Sequence, residues 1–289
     1  MSNIKLVVEY DGSRYHGWQR QPNLPTVQGM LEAAVATIVQ QKPTVIGAGR
    51  TDAGVHAQGQ VANFKVNARL TAAAWMRALN SLLPEDIVII NAQKVSSRFH
   101  ARFSAVGKIY RYQILNRRYP PAIGRQYLWT VYSALDIRRM KSAAKVLLGK
   151  HDFSSFMSGG PCHSAEESGR LTDSAAFVPG APYSSRHEPS DAPRAPALAR
   201  AKPDARFRST VCTIRRLALV KKRDEIIVTI EADRFLQQMV RAIVGTLVEV
   251  GRGRLSPREM SVLLQKKDRR FGGPTAPPQG LCLVKVFYK

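Results

Sequence analysis

The sequence predicts an α+β fold built from two halves of similar element order. Three observations carry this. Short runs in which apolar and polar residues alternate recur along the chain, with the period of two that marks a half-buried strand. Between them lie stretches with apolar residues at helical spacing, two of which open on a threonine placed to cap them. The order strand, helix, strand, helix, strand over the first half then partly returns over the second.

Taken in order, IKLVVEYDG alternates and ends in a turn signal, which predicts a strand over 4–10. TVQGMLEAAVATIVQQ predicts a helix capped by Thr26, and QVANFKV (60–66) a strand. TAAAWMRALNSLL predicts a second helix capped by Thr71, followed by a strand at 86–95. In the second half GKIYRYQIL (107–115) reads as a strand and ALDIRRMKSAAKVLLGK (134–150) as a helix. TVCTIRRLALVKK and EIIVTIEADR read as two strands joined at Lys222–Asp224. FLQQMVRAIVGTLVEVGRG (235–253) is a helix ending in glycines, as a C-cap would. Ser256, Pro257 and Glu259 form a capping-box pattern at the start of another helix, and LCLVKVFY (281–288) closes as a strand. The domain boundary falls between 105 and 106, which gives domains 1–105 and 106–289. From about 158 to 206 the chain is rich in Ser, Ala, Pro, Gly and charge. It has too little apolar surface to order itself, so a disordered insertion is expected there.

The 289 residues carry 44 Lys and Arg against 21 Asp and Glu, a formal charge of +23. The basic residues are spread along the chain, so a tail does not account for the excess. Such a field favours a polyanion, because each basic group that meets a phosphate releases a counterion. Cys162, Cys212 and Cys282 are widely spaced with no CxxC pair, which argues against a disulfide framework or a zinc module. None of His16, His56, His100, His151 and His163 joins Cys or carboxylates in a metal-ligand pattern. The opening MSNIKLVVEYDG lacks a secretory leader's apolar region, and no apolar run approaches a membrane span, so a cytoplasmic protein is expected.

One acid stands out. GAGRTDAGVHA (47–57) sets Asp52 in a glycine-rich loop, with Arg50 two places before it. A phosphate cradle is a poor reading, since the spacing fits neither common glycine motif and a carboxylate would repel the ligand. Asp52 can cap a turn. It can also act as an ionised nucleophile or base, oriented by an arginine. Local spacing leaves the last two open.

RTDAGVHAQGQVANF (50–64) resembles the catalytic signature of the TruA family of tRNA pseudouridine synthases. Four more stretches match that family in order: EYDGSRYHGWQRQP (9–22), SRFHARFSAVGKIYRYQI (97–114), DRFLQQMVRAIVGTLVEVGRG (233–253) and APPQGLCLVKV (276–286). The resemblance implies two RRM/ferredoxin-like domains whose antiparallel sheets join, with a central active-site cleft. It implies isomerisation of uridine to pseudouridine in the anticodon stem-loop of tRNA, around positions 38 to 40, by a homodimer. No atom is gained or lost in that reaction, so no cofactor and no metal are expected. The match makes Asp52 the nucleophile, adding either to the pyrimidine or to the sugar. It makes Tyr110 the stacking platform of a flipped base, Arg241 the partner of the aspartate, and Leu281 the apolar side of the pocket.

Each residue also has a plainer reading. Tyr110 can be a core residue of a strand, Leu281 ordinary core, and Arg241 a solvated helical charge. Against the last, Phe235, Leu236, Met239, Val240, Ile243, Val244 and Leu247 make the helix apolar nearly all round, so an arginine within it needs an acidic partner. The loop DGSRYHGWQR offers Arg14 and Arg20 to RNA, with Trp18 equally readable as core. Arg50, Lys108, Arg102 and Arg111 are expected at phosphates. A non-catalytic RNA-binding protein would explain the charge and the aromatics. It would explain neither the Asp beside an Arg in a glycine-rich loop nor the arginine in the apolar helix.

Overall fold

The structure, a computed structural model, describes residues 1–158 and 209–289. The insertion expected over 158–206 lies, from 159 onward, outside the described residues. The elements run β1 (Ser2–Tyr10), α1 (Val27–Val39), β2 (Ile46–Gly47), β3 (His56–Val66), α2 (Ala72–Leu82), β4 (Ile87–Val95) and β5 (Ala105–Asn116). They continue with β6 (Trp129–Val131), α3 (Ile137–Val146), β7 (Gly149–Asp152), β8 (Val211–Lys222), β9 (Glu225–Ala232), α4 (Met239–Gly251), α5 (Glu259–Lys266) and β10 (Leu281–Tyr288).

The strands form one sheet in the order β4-β1-β3-β10-β5-β9-β8-β7, with β2 added to β3 and β6 to β5. Alternation sets its buried face. Ile4, Leu6, Val8 and Tyr10 of β1, Tyr110, Tyr112 and Ile114 of β5, and Ile226, Val228 and Ile230 of β9 are all buried. Neighbours in this path run antiparallel except at the centre. There β10 meets β3 in parallel through only two registered pairs, Cys282 with His56 and Leu283 with Ala57. The last strand of the chain thus sits between strands of the first and second halves, and its start lies beside the end of the Asp52 loop.

The threonine caps form as the sequence predicts: Gly29 N–H donates to Thr26 Oγ1 and Ala74 N–H to Thr71 Oγ1. Other boundaries differ. The helix expected over 134–150 is confined to Ile137–Val146 under an Asp136 cap, because Gly149 at φ +95° turns the chain into β7, which pairs with β8. The helix expected from 235 starts at Met239, since Gln238 sits at φ +57° and Phe235 turns its ring against Tyr110 instead. The capping box is half realised. Ser256 N–H donates to the Glu259 carboxylate at 2.6 Å, while α5 itself begins at Glu259.

α4 is buried along nearly its whole length, with Arg241 the half-buried exception. The chain around 273–276 lies directly on it. Gly273 N–H donates to Thr246 Oγ1 at 3.0 Å, and a Cβ on Gly245 would fall 1.7 Å from the Pro274 carbonyl oxygen. Only glycine permits that approach. Gly245→Ala must push backbone from backbone. It should destabilise the fold by about 1–3 kcal/mol, seen as a lower urea midpoint at unchanged slope. An unchanged midpoint would show the packing to be looser than described.

Candidate active site

Asp52 lies in the turn between β2 and β3. Gly54 at φ +74° lets the chain double back there, with Val55 N–H donating to the Asp52 carbonyl at 3.2 Å. The loop is zipped to the DGSRYHGWQR segment by backbone bonds: Trp18 N–H to Thr51 O at 3.1 Å and Gly54 N–H to Tyr15 O at 3.3 Å. Beneath it, Tyr10 Oη and Thr51 Oγ1 share a hydrogen bond of 2.8 Å. Trp18 is core, 2% exposed, and touches Tyr10.

From the second half, Arg241 Nη1 donates to Asp52 Oδ2 at 2.8 Å, with the two side chains 13% and 29% exposed. Its Nε donates to Ala276 O at 2.7 Å, and Ala276 N–H returns a bond to Arg241 O at 3.1 Å. The guanidinium is therefore gripped on one side by the 273–280 segment and presents its other side to the carboxylate. Tyr112 Oη fixes that segment by donating to Pro277 O at 2.7 Å. Pro278 packs toward Gly54 of the Asp52 loop.

Tyr110 is buried, its ring edge-to-face with Phe235 at 5.0 Å between centroids. Burial, together with the negative forms of Tyr10 and Asp52 nearby, pushes its phenol far above the ordinary value, so it is neutral at physiological pH. Leu281, buried at the start of β10, pairs across the sheet with Tyr112.

A family model described as tRNA pseudouridine synthase matches residues 6–104 and 197–289. The chain is 41% identical over 288 residues to the tRNA pseudouridine synthase A of a Thermoanaerobacter species, and 39% identical over 288 residues to that of Acetivibrio thermocellus. It is 39% identical over 288 residues to tRNA pseudouridine synthase A 2 of Clostridium perfringens. Each alignment covers 100% of both chains. The chain belongs to the tRNA pseudouridine synthase A family. It is accordingly an enzyme, an isomerase.

The other residues expected at the site of this synthase are dispersed along its rim and frame. Arg14 and Arg20 are exposed, with long ion pairs to Asp86 at 3.6 Å and Glu32 at 3.5 Å. Arg50 is exposed and donates to Gln19 Oε1 at 3.2 Å. Arg111 donates to Gln58 Oε1 at 3.1 Å. Lys108 is turned inward. Its side chain is half-buried on the inward face of β5, and Nζ donates to Ala48 O at 2.9 Å. Desolvation, with Arg102 adding repulsion, brings its pKa down to about 8.

His56 ties three segments together. Its Nε2 meets Gln126 O at 3.0 Å, and a carbonyl only accepts, so Nε2 carries a proton. Its Nδ1 lies 3.0 Å from both Gly12 N and Asp11 Oδ1. Tyr127 Oη completes the knot by donating to Asp11 Oδ2 at 2.7 Å. A cavity of about 470 Å³ beside this knot is lined by Glu9, Asp11, Glu85 and Asp86 as well as Arg111, and Asp52 is not part of its wall. Among the described residues no group of three or more His, Cys, Asp or Glu is arranged to hold a metal ion. No helix among them is long and apolar enough to cross a membrane.

Sequence reasoning missed the backbone clamp of Ala276 and the Tyr127–Asp11 bond, for which single residues give no signal. Partial burial opposes the ionisation of Asp11, but hydrogen bonds from Ser13 and Tyr127 and the nearby His56 outweigh it and hold the carboxyl below its ordinary 3.8. A carboxylate with a depressed pKa stabilises the fold above its unfolded value, and that contribution is lost as the pH falls through the folded one. Tyr127→Phe should therefore cost up to about 1 kcal/mol at pH 7. The gap from wild type should close as the pH drops below 3.8. Urea unfolding of both proteins at several pH values checks this, and a gap constant with pH would contradict it.

Proposed function

We propose that this enzyme isomerises uridine to pseudouridine in the anticodon stem-loop of tRNA, around positions 38 to 40, with Asp52 as its nucleophile. The observation that carries the reading is the 2.8 Å pair between Asp52 and Arg241. An arginine inside an apolar helix is matched to the one carboxylate of a glycine-rich loop, and the pair remains partly open to solvent. In the reaction the N1–C1′ bond breaks, the base turns, and a C5–C1′ bond forms. C5 releases a proton and N1 takes one up, so the atoms balance without a redox partner. Asp52 adds to the pyrimidine ring or to C1′ and leaves again, and Arg241 holds it aimed between those events.

Tyr110 lies on the Asp52 side of the sheet, where it can form the floor for the flipped base, with Leu281 on the apolar side. Its neutral phenol favours stacking over base catalysis in the resting site. Covalent attachment of Asp52 removes a nearby negative charge and so makes the phenol of Tyr110 easier to ionise, the change it needs before it can accept a proton. Arg14, Arg20 and Arg50 are exposed on the loops around Asp52 and suit the RNA backbone. We read the chain as two RRM-like domains, 1–105 and 106–289, working as a cytoplasmic homodimer that spreads one tRNA over a shared basic surface.

Unmodified tRNA transcripts treated with wild type and with Asp52→Ala, then mapped for pseudouridine at single-nucleotide resolution, test the reading. Wild type should place pseudouridine in the anticodon arm, and Asp52→Ala should bind the same RNA within a few-fold yet form none. Product from Asp52→Ala would remove the nucleophile. Binding by both proteins with product from neither would favour a non-catalytic RNA-binding protein.

A further inference from the structure

The residues N-terminal to Arg50 are held by two side chains that the chemistry above does not use. Lys108 Nζ donates to Ala48 O at 2.9 Å, and Gln60 Nε2 donates to Gly49 O at 3.0 Å. Consecutive carbonyls of the loop are thus fixed from two strands, Lys108 from β5 in the second half and Gln60 from β3 in the first. Gln60 is fully buried, and its Oε1 accepts from Val61 N–H at 3.2 Å, so its amide is oriented as well. The backbone beside them continues into β3 through Ala48 N–H to Val61 O at 2.7 Å.

Space at this point is set by glycine. A Cβ on Gly49 would lie 2.3 Å from Lys108 Nζ, so the amine occupies the room a side chain would need. Lys108 also shares a face of β5 with Tyr110 and Tyr112, two and four residues on, both of them buried. Its direction is therefore fixed by the pleat of the same strand that carries the proposed base platform. Tyr110 and the Asp52 loop are referenced to one rigid element through Lys108.

We propose that Lys108, with Gln60, is a positioning residue for the reaction: it holds the Ala48–Gly49 carbonyls so that Asp52 meets the flipped uridine in register with Tyr110, and it does not bind RNA phosphate. The inference rests on the reading of Asp52 as nucleophile.

The two accounts of Lys108 separate cleanly. A phosphate contact works through affinity, and its loss lowers the slope of log affinity against log salt by about 0.7–0.9. A positioning contact works through the rate of the bound complex, where a small misplacement costs about 10²-fold. The experiment measures single-turnover pseudouridine formation at saturating protein, and Kd for the same tRNA transcript at four salt concentrations. The proteins are wild type, Lys108→Met, Lys108→Arg and Gly49→Ala, with Asp52→Ala as control.

Lys108→Met should slow the bound complex at least 10-fold, with Kd within about twofold and the salt slope unchanged. Lys108→Arg should not rescue, because a guanidinium is too large for the space beside Gly49 although it keeps the charge. Gly49→Ala displaces only the end of a flexible side chain, so it should fold and still show the slow rate with all charges present. That variant keeps the test open should Lys108→Met fail to fold. Full rate in Gly49→Ala would overturn the proposal. So would a Lys108→Met defect that lies in Kd and salt slope and is restored by arginine. Product from the Asp52→Ala control would instead sink the underlying reading of the nucleophile.

Discussion

The structure turns on one ion pair. Arg241 is set in a helix whose other faces are buried, and Asp52 in a loop between strands of the other half of the chain. A charge in such a helix is costly without an opposite charge, and the carboxylate needs a cation that does not wander. Each solves the other's problem only if β3, β10, β5 and α4 keep their places. Much of the fold's detail serves that end: the two-residue parallel join of β10 to β3, the Gly245 approach that lets the 273–280 segment lie on α4, and the Ala276 carbonyl that takes the remaining side of the guanidinium.

The chain as a whole is strongly positive. A formal charge of +23 spread over the chain would draw many polyanions, and nothing in that field chooses a reaction. On the proposed function, choice comes from the small region where charge is arranged rather than accumulated. There a neutral phenol and an inward-facing amine of β5 lie beside the loop that carries an oriented carboxylate. The acidic knot of Asp11, His56 and Tyr127 stands apart from it. That knot fastens the 11–20 loop and the 117–128 loop to the end of the Asp52 turn, so the rim of the site is tied to its floor.

The parts of this that were legible in the sequence are those with local causes. The sequence pattern placed β1, β5, β9 and β10 to within two residues, and threonine caps placed the starts of α1 and α2. The need of Arg241 for an acid could be argued from its apolar neighbours alone. The strands β2, β6 and β7 could not be read, because two to four residues show no period. The start of α4 was misjudged because Phe235 and Leu236 continue its apolar pattern while Gln238 breaks its backbone. The inward turn of Lys108 had a signal of a different kind. Charge suggested the surface, but its place two residues before Tyr110 on an alternating strand points it inward, and that signal was in the sequence. Clamps made by main-chain carbonyls, such as Ala276, leave no trace in residue type.

The measurement that tests the central claim most directly is the effect of Arg241→Gln on the bound complex. Single-turnover pseudouridine formation at saturating protein should fall about 100-fold or more, while Kd for the same tRNA transcript stays within about threefold, because the arginine acts on Asp52 and not on the RNA. An undiminished rate, or a defect confined to Kd, would contradict the account.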